Sequence, residues 1–151
     1  MERPLRYGMR ILIDAPFADA ITATRIALAD AGFSAVVDVG LRSVTEPNFV
    51  ILAVSSPALT RRALAADPDA GLLLPWHVVV REGDDLGSIV EVVDPLAIIA
   101  LAGLNDELRT VALEARTRFE SVLAALEEAA APRGRVLHVS AEHARPSAGG
   151  G

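Results

Sequence analysis

The segment from Ala66 to Arg81, ADPDAGLLLPWHVVVR, constrains the fold of this chain more than any other sixteen residues. A helix must end near Asp67, because a residue that precedes proline is pushed out of the helical region. A glycine and a leucine cluster follow. The mainly apolar run from Trp76 to Arg81 then predicts a strand. The segment therefore requires a helix, a short connection and a strand in close succession.

Length, composition and charge bound the class of protein. The 151 residues suit one domain with a sizeable core, and 52% apolar with 23% charged residues is typical of a globular protein. The net charge of −6 is scattered along the chain and indicates no basic surface for nucleic acid. The longest uncharged apolar run, from Pro95 to Leu104, is too short to span a membrane. No secretory signal is visible, so we expect a cytoplasmic protein.

Two absent residue types exclude several chemistries. The chain has no Cys, which excludes thiol nucleophiles, disulfides and thiolate metal sites. All 14 basic side chains are Arg, so the chain has no Schiff-base or phosphate-loop lysine. His138 and His143 make a poor metal site without further ligands. We therefore expect no catalytic residue, no metal and no cofactor.

Hydrophobic periodicity predicts the element order β-α-β-β-α-β-β-α-α. The strand FVILAV, at 49–54, is apolar at every position, so we expect it to be a central strand covered on both faces. Gly32 suits the left-handed position after the first helix, and Asn105 suits the cap of the last helix. The first helix has an apolar stripe at Phe17, Ile21, Thr24 and Leu28, and the last helix has one at Leu108, Val111, Ala115, Phe119, Val122 and Leu126.

The domain organisation follows from a change in composition near Pro132. We expect residues 1–132 to form a single α+β domain. The last residues, 133–151, contain one short apolar patch and are otherwise rich in Pro, Ser, Ala and Gly. They are expected to form a mobile tail that adds one strand if it docks on the sheet.

Several short sequence blocks occur in a fixed order along the chain. Phe17 and Gly32-Phe33 mark the first helix; Ala66-Asp67-Pro68, Gly71-Leu72-Leu73-Leu74-Pro75 and Val78-Val79-Val80 form the central block; Asp94-Pro95, Gly103-Leu104-Asn105 and Glu107-Leu108 follow it. Together they resemble the bacterial and archaeal family known as domain of unknown function 302, from Arg10 to Ala130. The resemblance implies an α+β fold with one curved, mainly antiparallel sheet of about five strands and helices on one face. It implies no assigned function.

The chain departs from that family pattern at three places. Trp76 stands where relatives often carry Cys directly after Leu-Leu-Pro. Ser55-Ser56-Pro57 stands where a Cys-Asn-Pro turn is frequent, and the connection from Gly40 to Asn48 is shorter than usual. If relatives use those cysteines for redox or metal chemistry, this chain cannot.

Trp76 and His77 are neighbours on a strand, so their side chains point to opposite faces of the sheet. One face packs on the helices, and the other needs cover from a second copy, the C-terminal tail or a ligand. Trp76 is expected to be a core or interface aromatic, with the wall of a small-molecule pocket as the alternative. His77 is expected to hydrogen-bond to a carboxylate or backbone group, with general-base chemistry as the alternative.

Ser55 and Ser56 end a central strand and begin a helix. A hydroxyl cap is the expected role; the alternative is an anion site at the helix N-terminus, assisted by Arg61 or Arg62. The sequence thus predicts a non-enzymatic binding or interaction module that forms a homodimer through the sheet face. The alternative is an enzyme or small-ligand carrier, with a groove near Ser55, Ser56, Trp76 and His77.

Overall fold

The computed structural model describes residues 5–40, 48–103, 105–130 and 137–139. Its strands are β1 (Gly8–Ile13), β2 (Ser34–Gly40), β3 (Phe49–Ser55), β4 (Trp76–Glu82), β5 (Ser88–Val93) and β6 (Leu137–Val139). Its α-helices are α1 (Phe17–Asp30), α2 (Pro57–Ala66), α3 (Pro95–Ile99) and α4 (Asp106–Ala130). Short 3-10 helices cover Pro68–Leu73, Asp84–Leu86 and Ala100–Ala102.

The strands form one open sheet in the order β2-β3-β4-β5-β1-β6, and every neighbouring pair is antiparallel. The helices pack on one side of it, so the predicted α+β fold class is confirmed. The sixth strand, β6, pairs with β1 across Arg10 to Leu12. Apart from β6, the predicted mobile tail at 133–151 lies outside the described residues, as does His143.

Local sequence signals set the helix ends. Ser56, Asp94 and Asn105 each accept a hydrogen bond from a backbone N–H in the first turn of α2, α3 and α4. At the end of α1, Gly32 has a φ of 86°, and the N–H of Phe33 donates to the carbonyl of Leu28 at 2.9 Å. This is the Schellman arrangement that the sequence predicts. Its left-handed backbone conformation has no steric cost for glycine.

The core lies between the sheet and the helices. Helices α1 and α4 contact the strands directly, while α2 and α3 pack against α4. All six residues of the predicted α4 stripe are buried. In α1, Thr24 and Leu28 are buried, but Phe17 and Ile21 are only half-buried, and Ala20 and Ala27 complete the inner face. Within the described ranges, no helix combines the length and apolar character that a membrane span requires.

A ring stack connects the sheet to the longest helix. The rings of Phe33, just before β2, and Phe119, on α4, are parallel, with centroids 4.4 Å apart. Both side chains are buried. The stack therefore anchors α4 over the same face of the sheet that α1 covers.

Gly8 is required where β1 meets β5, because a Cβ at this position would overlap the backbone carbonyl oxygen of Val92. We expect Gly8→Ala to lower the free energy of unfolding by about 1–3 kcal/mol, the usual cost of overpacking. Urea denaturation measures this change. Gly40→Ala is the matched control, since no atom of the described residues lies within 4 Å of its Cβ position. Equal stability of the two variants would contradict the proposed clash.

Candidate functional site

The two faces of the sheet have different surroundings. Along β3 and β4, buried residues alternate with residues that are half-buried or exposed. The buried set faces the helices. We call the opposite side the open face; its side chains are Val37, Val39, Phe49, Ile51, Ala53, Ser55, His77, Val79, Arg81, Ile89, Glu91, Val93, Arg10 and Leu12.

The structure decides which way Trp76 and His77 point. Trp76 is buried on the helix side, opposite Val54 in the strand register. His77 is exposed on the open face, opposite Ala53. Among the described residues, the His77 side chain makes no hydrogen bond, in contrast to the expected one, because its neighbour Ala53 has no polar side chain. In the part of the chain that the structure describes, His77 therefore has no orienting acid for general-base chemistry.

The open face is apolar around β2 and β3. Val37 and Val39 are exposed on the edge strand β2, opposite Ala53 and Ile51. Beyond Ile51, the register continues to Val79 on β4. A contiguous apolar patch on a protein surface marks an interaction site more often than scattered exposed residues do.

Three charged side chains lie beyond this patch, on strands β1, β4 and β5. The Glu91 carboxylate accepts hydrogen bonds from Arg81 Nε at 2.7 Å, and from Arg10 at 2.8 Å through a terminal guanidinium nitrogen. Burial by itself would raise the pKa of Glu91. The hydrogen bonds and positive charges of Arg81 and Arg10 outweigh burial, and they hold that pKa below its ordinary value. The network is thus a paired, half-buried charge cluster.

Sequence reasoning did not single out Arg10, Arg81 or Glu91. Arg10 and Glu91 are 81 positions apart in the chain, so only the pairing of β1 with β5 reveals their contact. The available signal was a charged residue inside each of three apolar strands. Such residues are costly to bury unless they are paired, which makes them candidates for a common cluster.

A shallow cavity lies at one end of the sheet, where β4 begins and β5 ends. Its volume is about 200 Å³. We call it the end groove; it is lined by Leu72, Leu73, Pro75, Trp76, His77, Val93, Ile98 and Leu101. His77 is the only ionisable residue in this lining. An apolar cavity with one polar group can hold an apolar group, but it supplies no set of catalytic residues.

The two serines of the predicted groove do not line this cavity. Ser56 is buried and accepts hydrogen bonds from the N–H of Leu59 at 3.5 Å and from Arg118 at 3.3 Å. Ser55 shares the open face with His77, but its hydroxyl is 3.1 Å from that of Thr60. The structure therefore brings Trp76 and His77 to the end groove, and leaves Ser55 and Ser56 in helix-start contacts.

The structure also shows the positions of Arg61 and Arg62, which were predicted to assist an anion site. Arg62 donates hydrogen bonds to Glu114 at 2.6 Å and to Glu107 at 3.3 Å, and so joins α2 to α4. Arg61 is exposed. In the part of the chain that the structure describes, no three His, Asp or Glu side chains lie together as metal ligands.

Comparisons with known proteins agree with this architecture. A family model described as "Domain of unknown function DUF302" matches residues 9–126. The chain is also similar to the crystal structure of an uncharacterized conserved protein DUF302 from Bacillus stearothermophilus, with 17% identity and a TM-score of 0.71. That match covers 82% of this chain and 98% of the other, and it shows the fold alone. No curated protein matches the chain.

The network around Glu91 gives a prediction about acid stability. Glu91→Gln leaves two half-buried guanidinium groups without their shared counter-charge, so we expect it to lower the free energy of unfolding by about 1–3 kcal/mol at neutral pH. Because the pKa of Glu91 is lower in the folded state than its ordinary 4.5, this contribution is complete above that value. It declines as the pH falls through the lower, folded-state pKa.

Chemical denaturation of both proteins between pH 2 and pH 7 tests this. Glu120→Gln is the control, since the Glu120 side chain is exposed and its i,i+4 pair with Arg116 is expected to contribute less than about 1 kcal/mol. A stability difference for Glu91→Gln that stays constant down to pH 2 would contradict the assignment.

Proposed function

The chain belongs to the family described as domain of unknown function DUF302, and from that premise we propose that it is a non-enzymatic interaction module that pairs with a second copy of itself through the open face. The observation that carries the proposal is the one-sided covering of the sheet. Helices bury one face, while the other leaves Val37, Val39 and their apolar neighbours in contact with water.

The size of the open face supports a specific contact. The five strands β1 to β5, with spacings of about 4.8 Å and lengths of about 20 Å, give roughly 500 Å² of projected area per copy. Two such faces reach the total of about 1,000 Å² that a biological interface needs. The open face therefore suits a homodimer of modest affinity.

The chemistry of the open face favours a second copy of the chain as its cover, over the C-terminal tail or a ligand. The residues after Val139 read SAEHARPSAGGG and contain no large apolar side chain, so they are poor material for covering Ile51 and Val79. A second copy supplies the same apolar patch, and a two-fold axis makes one surface complementary to itself. The Arg10–Glu91–Arg81 cluster is already internally paired, which reduces the desolvation cost at such an interface.

The alternative function, an enzyme or small-ligand carrier, has less support. Trp76 and His77 share the end groove, but Ser55 and Ser56 do not line it. A carrier also needs an enclosed site of about 300–1,000 Å³ for a ligand of ordinary size. The groove volume of about 200 Å³ is smaller than that range.

The dimer proposal predicts that charge on the apolar edge of the open face disrupts self-association. We expect Val37→Glu/Val39→Glu to weaken it at least tenfold, because each carboxylate would have to be desolvated in the interface. Sedimentation velocity of both proteins between 1 and 100 µM measures the change, against a monomer mass of 15.9 kDa.

The matched control places the same charges on the helix side. Ile26 and Leu113 are 58% and 43% exposed, close to the 51% and 44% of Val37 and Val39. Ile26→Glu/Leu113→Glu is expected to sediment like the parent protein. Thermal melting checks that both variants are folded. A parent chain that stays monomeric at 100 µM, or equal dissociation of both variants, would reject the open face as a dimer interface.

A further inference from the structure

The turn between β4 and β5 carries an exposed leucine in an unfavourable backbone conformation. Asp85 and Leu86 have φ values of 55° and 63°, and the N–H of Gly87 donates to the carbonyl of Asp84 at 3.1 Å. Positive φ at both central residues is the pattern of a type I′ turn, which favours Asn, Asp or Gly at those positions. Leucine has no polar group to compensate for this conformation, and Leu86 is 82% exposed. The single copy therefore gains little from a residue that strains its turn.

The end groove lies at the opposite end of the same two strands. Strand β4 begins at Trp76, in the groove lining, and runs to the turn; β5 returns from the turn to Val93, also in the lining. His77 and Val93 belong both to this lining and to the open face. The groove is therefore continuous with the surface through which we expect two copies to pair.

Two-fold symmetry allows two orientations of facing sheets whose strands are aligned. Strands β4 and β5 are the middle two of the six, so their turn lies near the midline of the sheet. An axis along the strands would bring the two turns together, with the exposed Asp84 and Asp85 of one copy beside those of the other. Like charges placed together oppose pairing. An axis across the strands instead places each turn at the end groove of the other copy.

We propose that the two-fold axis lies across the strands, and that Leu86 of each copy inserts into the end groove of the other, beside Trp76. This inference rests on the proposed dimer, and it names a residue that each copy contributes to the other. The groove volume of about 200 Å³ exceeds the roughly 150 Å³ of a cavity that binds benzene, so it has room for the four-carbon side chain of leucine.

The insertion adds contact area where the dimer needs it. The two open faces together give about 1,000 Å², which only just reaches the size of a biological interface. The lining residues Leu72 and Leu101 are 89% and 76% exposed, and the inserted turn would cover them from water together with Leu86. Burial of these apolar side chains favours association, and it offsets the strain that Leu86 imposes on its own turn.

Leu86→Asn separates the two effects of this side chain. Asparagine adopts positive φ more readily than leucine, so we expect the variant to melt about 2–4 °C higher at a concentration where both proteins are monomeric. Asparagine does not replace the apolar anchor, so we expect self-association to weaken about tenfold in sedimentation velocity. A higher Tm together with weaker self-association is not the result of a general folding defect.

Leu72→Ser/Leu101→Ser tests the groove side of the same contact. We expect it to weaken self-association as Leu86→Asn does, and the combined variant to lose little more, because both changes remove one contact. Leu113→Ser, at an exposed position on the helix side, is the control and should associate like the parent chain. The only Trp of the chain lines the groove, so its emission should shift when the parent dimer is diluted, and not when Leu86→Asn is diluted.

The results keep the insertion separate from the dimer itself. Self-association that is lost in Val37→Glu/Val39→Glu but unchanged in Leu86→Asn would overturn the insertion and leave the open-face dimer in place. Fully additive losses in the combined variant would show that Leu86 and the groove make separate contacts, and would also overturn it. A parent chain that stays monomeric would reject the dimer and, with it, the insertion.

Discussion

Helices α1 and α4 pack on one face of a six-stranded antiparallel sheet, and the other properties of the molecule depend on this one-sided contact. Side chains on a strand alternate between the two faces, so a single helical layer gives the central strands β3 and β4 one buried and one open set. The buried set makes the core with the stripe of α4. The open set leaves apolar residues such as Ile51 and Val79 without helical cover, and it provides the surface that supports the proposed pairing.

The two candidate surfaces differ in chemistry as well as in position. The open face combines an apolar patch with the charge cluster at Glu91, whose paired guanidinium groups lower the cost of a contact. The end groove is smaller and apolar, and Leu72 and Leu101 in its lining are largely exposed. A self-complementary surface suits a copy of the same chain.

Much of the fold was predictable because its signals are local. Capping side chains such as Asn105, prolines at the first helical position and Gly32 after α1 act within a few residues, and the structure has them in those roles. The stripe of α4 was predictable because its period of 3.6 residues is unambiguous over 25 residues. The prediction of the α1 stripe was less accurate, because alanines such as Ala20 and Ala27 carry little hydrophobic signal and are still buried.

The sequence by itself determined the α+β class, the positions of the helices and the fact that Trp76 and His77 lie on opposite faces. It could not determine which of those faces the helices cover, because alternation along a strand is symmetric until another layer packs on it. Only the tertiary structure buried Trp76, exposed His77, and joined Arg10 to Glu91 across 81 positions of chain. It also placed Ser56 in contacts at the start of α2, outside the lining of the groove. These outcomes depend on strand register and layer packing, which are long-range contacts that local sequence patterns do not encode.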